Sequence, residues 1–470
     1  MNVEDFDIVV IGGGPAGQKA AVQAGKAGRR VVLIDRQRLL GGECVHRGTI
    51  PSKTLHDAAS GLVHLKQHAA RLFEVQVQSG LQVETLMERL DSVRDSHAVF
   101  MSDQLERNGV ERWRGRARFV SDHELVVEGP GRSEKRIRGE HILVATGSRP
   151  RVPDNVPIDH EHILDSDSLL SLIYLPNSLT VLGGGVIACE YASIFSALGV
   201  HVTMIDHGDR PLGFMDEELV HHFLDEFSAM GGTFLARSGL DHVEYGEDSS
   251  VLTILESGKE IRSEKLLCAL GRVTNTRELG IEVAGVELDA RGLIQVDERY
   301  RTSVPHIYAA GDAIGSPALA ASAMEQGRIA MCTALGLSVE DRLDSLPVGI
   351  YTIPEMASVG LSEAAAIDEH GSVLVGRAPF SELARGQISG ETSGLLKLVA
   401  SADGSEILGV HIVGHAAVEL IHLAQMAMIT HVGPETFIEN TFNFPTMAEA
   451  YRVAALQVQQ AMPAKPRKAG

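Results

Sequence analysis

The sequence predicts an α/β fold with two Rossmann-like dinucleotide-binding domains followed by a C-terminal α+β domain. A buried strand, a glycine-rich turn and a helical stretch occur in this order after residue 6 and again after residue 179. Each unit continues into a second strand that ends in an aspartate. A chain of 470 residues is also long enough to build two or three separate cores.

The first unit has every part of a β-α-β nucleotide-binding motif. Its parts are a strand over residues 6–11, the turn Gly12-x-Gly14-x-x-Gly17, a helix over residues 18–28 and a strand over residues 30–35. The first glycine allows the tight turn, the second lets a pyrophosphate approach the backbone, and the third lets helix and strand pack closely. The helix N-terminus offers N–H groups to phosphates, and Asp35 is placed to accept a hydrogen bond from a ribose hydroxyl.

The second unit repeats this layout 171 residues later, counting from Gly12 to Gly183. Its parts are a strand over residues 179–182, the turn Gly183-x-Gly185-x-x-Ala188, a helix over residues 189–198 and a strand over residues 201–206. The final Asp206 favours NAD, because a carboxylate there accepts from the 2′-hydroxyl and repels the 2′-phosphate of NADP. Arg210 is close enough in sequence to reach a 2′-phosphate, so the nucleotide preference stays open.

The remaining segments connect and extend these units. We predict strands at residues 142–147, 267–272 and 307–312, a helix to about residue 336, linkers at 149–153 and 339–345, a C-terminal region from residue 349 and a disordered tail from residue 463. The Ala145-Thr146-Gly147 and Gly311-Asp312 strand ends are further turns at which the backbone can approach a ligand.

Composition excludes several classes of function. A formal net charge of -20 argues against nucleic acid or an anionic membrane surface as a partner. Four scattered cysteines, without a Cys-x-x-Cys pair, argue against a disulfide framework and a zinc site. We find no signal peptide and no apolar run that could cross a bilayer, so we expect a cytoplasmic protein without a metal.

The segment Gly41-Gly42-Glu43-Cys44-Val45-His46-Arg47-Gly48-Thr49-Ile50-Pro51-Ser52-Lys53 resembles the redox loop of the flavoprotein disulfide reductases. Together with the two glycine turns, Gly311-Asp312 and Phe444-Pro445-Thr446-Met447-Ala448-Glu449, the resemblance covers residues 5 to 457. Within that family the chain most resembles the soluble, Si-specific pyridine nucleotide transhydrogenases.

The resemblance implies bound FAD, NAD(H) and NADP(H) as substrates, and a role for each matching residue. Lys53, paired with Glu190, would lie by the flavin and stabilise negative charge on it, and Thr49, His46 and Cys44 complete the implied catalytic set. The FAD-binding residues would be Gly12, Gly14, Pro15, Ala16, Gly17, Asp35, Arg36, Gly42, Cys44, Lys53, Gly115, Ala145, Thr146, Gly147, Gly311 and Asp312. The NAD(P)-binding residues would be Gly183, Gly185, Ile187, Glu190, Asp206 and Gly271.

The same resemblance implies the division of the chain and its assembly. Residues 1–150 and 275–345 would form the FAD-binding domain, 151–274 the NAD(P)-binding domain and 346–470 a dimerisation domain. The implied protein is a homodimer. Its implied reaction is ping-pong hydride transfer between NAD(H) and NADP(H) through the flavin.

Two positions depart from the disulfide reductase pattern. Thr49 stands where the family has its second redox cysteine, and a hydroxyl cannot form a disulfide. Phe444 replaces the histidine that exchanges protons with the thiol. Glu449, which orients that histidine elsewhere, is then interpreted as a structural residue, either a helix cap or a dimer contact. The paired losses argue against dithiol chemistry.

Several alternatives stay open at this point. Cys44 is either an inert buried thiol, which we favour, or a reactive one that passes through a sulfenic acid or mixed disulfide. His46 either contacts the flavin face or supports the loop. The enzyme alternatives are an NAD(P)H oxidase and a quinone or dye reductase, and the non-catalytic alternative is a flavin-bearing redox sensor.

Overall fold

The computed structural model describes residues 3–66, 83–246, 249–339 and 345–462. Its strands are β1 (Val3–Ile11), β2 (Val31–Asp35), β3 (Glu111–Arg114), β4 (Arg116–Phe119), β5 (Glu124–Glu128), β6 (Glu134–Val144), β7 (Ser148–Pro150), β8 (Ile163–Asp165), β9 (Ser178–Leu182), β10 (His201–Ile205), β11 (Thr233–Leu235), β12 (Leu240–Tyr245), β13 (Val251–Leu255), β14 (Glu260–Ser263), β15 (Lys265–Cys268), β16 (Arg272–Thr274), β17 (Ile307–Ala309), β18 (Val348–Ile350), β19 (Met356–Gly360), β20 (Val373–Pro379), β21 (Leu395–Ser401) and β22 (Ile407–Val413).

The helices are distributed among these strands. They are α1 (Pro15–Lys26), α2 (Gly42–His46), α3 (Thr49–His64), α4 (Val83–Arg107), α5 (Val186–Ala197), α6 (Glu217–Ala229), α7 (Ala320–Ala334), α8 (Glu363–His370), α9 (Ala384–Ser389), α10 (Ala417–Ile429), α11 (Glu435–Glu439) and α12 (Glu449–Ala461). The mixed α/β class predicted from the sequence is confirmed.

The first sheet carries the first glycine turn. Its order is β3-β2-β1-β6-β5-β4, with β17 also paired to β6. Strands β2 and β6 both run parallel to β1, so the β1-α1-β2 connection crosses one face of the sheet. Helices α1 and α7 pack closely there, since a Cβ on Gly327 would lie 2.1 Å from the Ala16 carbonyl oxygen.

The second sheet, β11-β10-β9-β15-β8, carries the second glycine turn, and its neighbouring strands are parallel. A small antiparallel sheet, β12-β13-β14, lies beside it in sequence. Strands β7 and β16 form an antiparallel ribbon where the chain enters and leaves this unit. The ribbon therefore joins the two nucleotide-binding units.

The third sheet is antiparallel and belongs to the C-terminal region. Its order is β18-β19-β22-β21-β20, and α10 and α12 cover it. Tyr451 of α12 is fully buried and donates its hydroxyl to the Leu420 carbonyl oxygen at 2.7 Å. Helix α12 approaches β20 at Gly376, where a Cβ would lie 1.9 Å from the Ala454 carbonyl oxygen.

Several boundaries differ from the sequence-based expectation. The helix of the second unit begins at Val186, not residue 189, and the strands predicted at 142–147, 267–272 and 307–312 end earlier, at Val144, Cys268 and Ala309. The first helix begins at Pro15, not residue 18, because proline is favoured in the first turn, where its missing N–H costs nothing. The predicted linker 149–153 begins inside strand β7. The predicted linker 339–345 lies almost wholly, and the predicted tail from residue 463 wholly, outside the described residues.

Candidate active site

A cleft of about 1470 Å³ opens where three regions of the chain meet, namely the two nucleotide-binding units and the C-terminal region. All but two of the predicted site residues line it, from both glycine turns and from the redox loop. The two that do not are Gly17 and Gly115. A Cβ on Gly17 would lie 1.9 Å from the Gly12 carbonyl oxygen, so this glycine serves helix–strand packing. Gly115 donates its N–H to the Asp35 carbonyl oxygen at 2.9 Å.

The first glycine turn is fixed by backbone geometry. Gly12 has φ +107°, and a Cβ there would lie 2.2 Å from the Ala145 carbonyl oxygen. Gly13 donates its N–H to Asp35 Oδ2 at 2.6 Å, and Gln37 donates its N–H to Asp35 Oδ1 at 2.7 Å. The carboxylate keeps further lone pairs for a ribose hydroxyl, so Asp35 both shapes the turn and faces the cleft.

The second glycine turn has the same backbone geometry, but its aspartate accepts from a different backbone N–H. Gly183 has φ +112°, and Asp206 Oδ1 accepts from the Gly208 N–H at 2.7 Å. Asp206 lines the cleft. Arg210 does not, and its Nη2 donates to the Gly213 carbonyl oxygen at 3.3 Å. The geometry therefore favours Asp206 over Arg210 as the residue that meets a nucleotide ribose.

Lys53 and Glu190 form an ion pair at the centre of the cleft. Lys53 Nζ donates to both Glu190 oxygens, at 2.7 and 2.8 Å, although the residues are 137 positions apart. The Tyr351 N–H donates to Glu190 Oε1 at 3.0 Å, and Lys53 Nζ lies 4.7 Å from the Tyr351 ring centroid. Glu190 is 4% exposed. One buried carboxylate thus fixes a cation that all three regions of the chain contact.

Cys44 and Thr49 occupy the place of a redox disulfide. Burial raises the pKa of the Cys44 thiol, while a hydrogen bond with the Thr49 hydroxyl and the charge of Lys53 act in the opposite direction. All four cysteines are free. Burial therefore favours the protonated form of the Cys44 thiol, as the inert alternative requires.

His46 supports the loop that carries Cys44. Its Nε2 lies 2.9 Å from the Leu40 carbonyl oxygen and must donate, since a carbonyl can only accept. This contact closes the turn that leads into α2. Of the two alternatives for His46, contact with the flavin face or support of the loop, the hydrogen bond to Leu40 therefore favours support of the loop.

We expect the Cys44 thiol to react slowly with an aromatic disulfide reagent at neutral pH. Its raised pKa leaves less thiolate than a free cysteine has at any pH below 9.0, and the rate should go on rising past the ordinary value of 9.0, where the rate of a free thiol begins to level off. Labelling kinetics of the wild-type protein and Cys44→Ser test this, because the other three cysteines are buried. Fast labelling at pH 7, lost in Cys44→Ser, would establish a reactive thiol.

Phe444 and Glu449 lie in the C-terminal region. The Phe444 side chain is 70% exposed. Glu449 is in the first turn of α12, whose N-cap is Ala448 without a side-chain cap, so the interpretation of Glu449 as a capping residue was wrong. Its Oε2 is buried and has no hydrogen-bond partner within the described part of the chain.

Sequence reasoning missed several polar residues of the cleft. Glu43 carries a buried Oε2 that finds no hydrogen-bond partner among residues 3–66, 83–246, 249–339 and 345–462. Burial raises the pKa of Glu43, the neighbouring Asp167 adds to the shift, and three arginines oppose it. Arg47 donates to Asp167 at 3.0 Å and so ties the redox loop to the second unit. The position of Glu43 beside Cys44 was a signal that could have found it.

One cluster outside the cleft gathers possible metal ligands in the described chain, namely Asp122, His123 and His306. The two imidazole rings are stacked 3.6 Å apart and nearly parallel, at 4°. Ring lone pairs lie in the ring planes, so these two nitrogens do not converge on one ion in this arrangement. None of the described helices is long and apolar enough to cross a membrane.

Comparison with known proteins defines the class to which this fold and cleft belong. The family model "pyridine nucleotide-disulphide oxidoreductase" matches residues 6–327, and its dimerisation domain matches residues 346–455. The chain belongs to the pyridine nucleotide–disulphide oxidoreductase family.

Particular relatives match along nearly the whole chain. A soluble pyridine nucleotide transhydrogenase of Mycobacterium bovis (strain BCG / Pasteur 1173P2) is 42% identical over 461 residues, which cover 98% of each chain. That of Hahella chejuensis is 40% identical and covers 96% of this chain and 97% of its own. The crystal structure of LpdA from Mycobacterium tuberculosis is 28% identical, with a TM-score of 0.89 over 97% of this chain and 100% of that chain.

FAD is the cofactor of this family, and the cleft fits it. Helix α1 begins next to Gly14, and its first N–H groups are available to a pyrophosphate. The Thr146 hydroxyl is buried on the cleft wall without a hydrogen-bond partner among the described residues. Asp312 also lines the cleft and can accept from a hydroxyl of the cofactor.

Proposed function

We propose that this chain is an FAD-dependent enzyme that transfers hydride between NAD(H) and NADP(H), with the two nucleotides entering one cleft in turn. The observation that carries the proposal is one cleft lined by both glycine turns and by Cys44 and Thr49, so that a hydroxyl stands where a second redox thiol would be needed. Identities of 40–42% to proteins named soluble pyridine nucleotide transhydrogenases support it.

The residues of the cleft would bind and orient two nucleotides. Bound FAD supplies the redox chemistry, because it can take a hydride from a reduced nicotinamide and give one to an oxidised nicotinamide. The Gly12 turn, Asp35, Thr146 and Asp312 would hold FAD, and the Gly183 turn with Asp206 would hold the nicotinamide nucleotide. The list of FAD- and NAD(P)-binding residues predicted above stays a proposal.

Lys53 would stabilise negative charge at the flavin. Its ammonium is held by Glu190 at 2.7 Å and keeps this position without reorganisation during the reaction. Thr49 can donate a hydrogen bond but cannot take electrons by forming a disulfide. The electrons therefore leave on a second nucleotide, which is the step that distinguishes a transhydrogenase from a disulfide reductase.

Asp206 should set the nucleotide preference. We expect Asp206→Asn to narrow the difference between NADH and NADPH affinity by about 1–3 kcal/mol, because it removes the charge that repels a 2′-phosphate. Dissociation constants of both nucleotides, measured for the two proteins by fluorescence titration, test this. Arg210→Met, outside the cleft, is the control and should leave the ratio unchanged. An unchanged ratio in Asp206→Asn and a changed one in Arg210→Met would reverse the assignment.

We also propose a homodimer and the domain division predicted above. The dimerisation domain of the family matches residues 346–455. Exposed apolar side chains on this region, including Met426 at 56% and Phe444 at 70%, supply a surface for a second copy. A cytoplasmic location stays a prediction from the sequence.

A steady-state assay tests the proposal against its alternatives. With NADPH as donor, we expect rapid formation of reduced thio-NAD, little oxygen uptake, slower reduction of quinones or dyes, and no reduction of lipoamide or glutathione disulfide. Faster turnover with oxygen or a quinone would support an oxidase or dye reductase. Disulfide reduction lost in Cys44→Ser would support a thiol enzyme. Turnover well below about 1 per second with every acceptor would favour a redox sensor.

A further inference from the structure

A chain of three polar side chains runs from the second nucleotide-binding unit to the wall of the cleft. Arg272 Nε donates to Ser148 Oγ at 2.7 Å, and Ser148 Oγ donates to Asp312 Oδ2 at 2.6 Å. Arg272 Nη2 also donates to the Ser148 carbonyl oxygen at 3.1 Å. All three residues line the cleft, although they lie 124 and 164 positions apart along the chain.

The direction of these hydrogen bonds is fixed by chemistry. A guanidinium has only donors, so the Ser148 oxygen must accept from Arg272. The single hydroxyl proton of Ser148 then goes to Asp312, whose carboxylate can only accept. Ser148 is 6% exposed, so water does not readily replace either partner. The hydrogen bonds from Arg272 to Ser148 and from Ser148 to Asp312 thus form a relay. This relay holds Asp312 Oδ2 in place and leaves Oδ1 to meet a donor in the cleft.

The supporting backbone connects distant parts of the fold. Ser148 is in β7 and Arg272 is in β16, the two strands of the ribbon between the nucleotide-binding units. Asp312 is in the turn after β17, and that turn is held by a bond from the Gly311 N–H to Gln326 Oε1 at 2.8 Å. The position of the Asp312 carboxylate thus depends on how the second unit is joined to the first.

We propose that Ser148 and Arg272 are positioning residues for FAD. They orient the Asp312 carboxylate, and they make FAD binding depend on the ribbon that joins the two units. The proposal rests on the proposed function in one respect, namely that Asp312 accepts a hydrogen bond from bound FAD. Ser148 and Arg272 act through Asp312.

Loss of the Ser148 hydroxyl should weaken FAD binding. Ser148→Ala removes the hydroxyl to which both Arg272 Nε and Asp312 Oδ2 are bonded, so the Asp312 carboxylate is no longer held in one orientation. A lost hydrogen bond to a charged group corresponds to a rise of about 10- to 100-fold in the FAD dissociation constant. Arg272→Met should have a similar effect, since it removes the donor that orients the Ser148 hydroxyl.

The ribbon offers a matched control. Arg149 lies in the same strand as Ser148, and its Nη1 donates to the Thr274 carbonyl oxygen at 3.1 Å and to Asn275 Oδ1 at 3.0 Å. Arg149 does not line the cleft. Arg149→Met therefore perturbs the ribbon but not the relay, and we expect a change in FAD affinity below about 3-fold.

The experiment is a double-mutant cycle on the full-length protein. FAD dissociation constants are measured by fluorescence titration of stripped protein for the wild type, Ser148→Ala, Asp312→Asn and the double variant, together with the thermal midpoint of each stripped protein. We expect Ser148→Ala to cost 10-fold or more in the wild-type background and less than about 2-fold beside Asp312→Asn, because its effect passes through Asp312.

Each result decides between separate claims. If Asp312→Asn leaves FAD affinity unchanged, the proposed contact between Asp312 and FAD is wrong. If Asp312→Asn weakens FAD but Ser148→Ala does not, only the relay is overturned. An equal Ser148→Ala penalty in both backgrounds would also overturn it. If Ser148→Ala lowers the thermal midpoint of the stripped protein, Ser148→Thr, which keeps the hydroxyl, should restore FAD affinity, and its failure to do so contradicts the relay.

Discussion

Lys53→Met should lower kcat by about 100- to 1000-fold, the usual effect of removing one fixed electrostatic group from an active site. The variant removes the ammonium that we propose lies beside the flavin, and it leaves Glu190, which is 4% exposed, without its cation. Tyr351 still donates its N–H to that carboxylate, so the loop geometry is retained. Steady-state kinetics with NADPH and thio-NAD measure the loss.

Two controls separate charge from folding. Lys66→Met removes an exposed lysine just beyond the same helix α3 and should leave kcat within about 2-fold of the wild type. Lys53→Arg keeps the charge but changes its shape, and it should recover part of the rate. If Lys53→Met turned over as fast as the wild type with FAD fully bound, Lys53 would have no part in the reaction.

Lys397→Met should lower the free energy of unfolding by about 3–5 kcal/mol, the cost of leaving the buried Asp216 carboxylate without its cation. Lys397 Nζ lies 3.0 Å from Asp216 Oδ1, 3.1 Å from Glu218 Oε2 and 2.6 Å from Glu363 Oε2. Both Lys397 and Asp216 are at most 4% exposed at their side chains. This cluster joins helix α6 of the second unit to the third sheet, so its loss should also loosen the junction.

Urea unfolding of the wild type, Lys397→Met and Lys259→Met measures this effect. Lys259 is exposed in the turn between β13 and β14, and its replacement should change stability by less than about 0.5 kcal/mol. Equal stability of Lys397→Met and Lys259→Met would show that the buried cluster contributes nothing.

The same cluster predicts a pH dependence. Burial alone would raise the pKa of Asp216, but the hydrogen bond and charge of Lys397, the nearby His411 and the N–H of Glu363 outweigh it and hold that pKa below its ordinary 3.8. A carboxylate whose pKa is lowered in the folded state stabilises the fold at pH values above its ordinary pKa. This stabilisation is lost as the pH falls through the lowered pKa. Without Lys397, burial would raise the pKa of Asp216, so the stability difference between the wild type and Lys397→Met should be largest near neutral pH and should shrink as the pH falls toward and below 3.8.

The sequence predicted those features that depend on neighbouring residues. Gly12 and Gly183 were found because a sharp strand-to-helix turn needs positive φ, which both adopt, at +107° and +112°. Asp35 and Asp206 were found because each ends a strand at a fixed distance after its turn. Helix α1 was placed three residues late because the pattern of alanines, not the favourable Pro15, was used to mark its start.

Contacts across the chain were harder to predict. The Lys53–Glu190 pair joins residues 137 positions apart and was expected only through resemblance to a family. The Arg272–Ser148–Asp312 relay was missed, because strands β7 and β16 have three residues each and show no hydrophobic period. The partial burial of Glu43 was also missed: its position beside Cys44 could have marked it as a candidate site residue, but nothing in the neighbouring sequence shows that distant parts of the chain cover its carboxylate.

The proposed function requires that electrons enter and leave this protein on nicotinamide nucleotides through one cleft without a thiol pair. Anaerobic rapid mixing tests it most directly: the yellow protein is first bleached with one equivalent of NADPH and then mixed with excess thio-NAD. We expect full return of the flavin absorbance, one reduced thio-NAD per active site, and no long-wavelength thiolate-to-flavin charge-transfer band at any stage. A charge-transfer band that persists in the reduced protein and is lost in Cys44→Ser, or a reduced protein that only oxygen or a quinone reoxidises, would contradict the account.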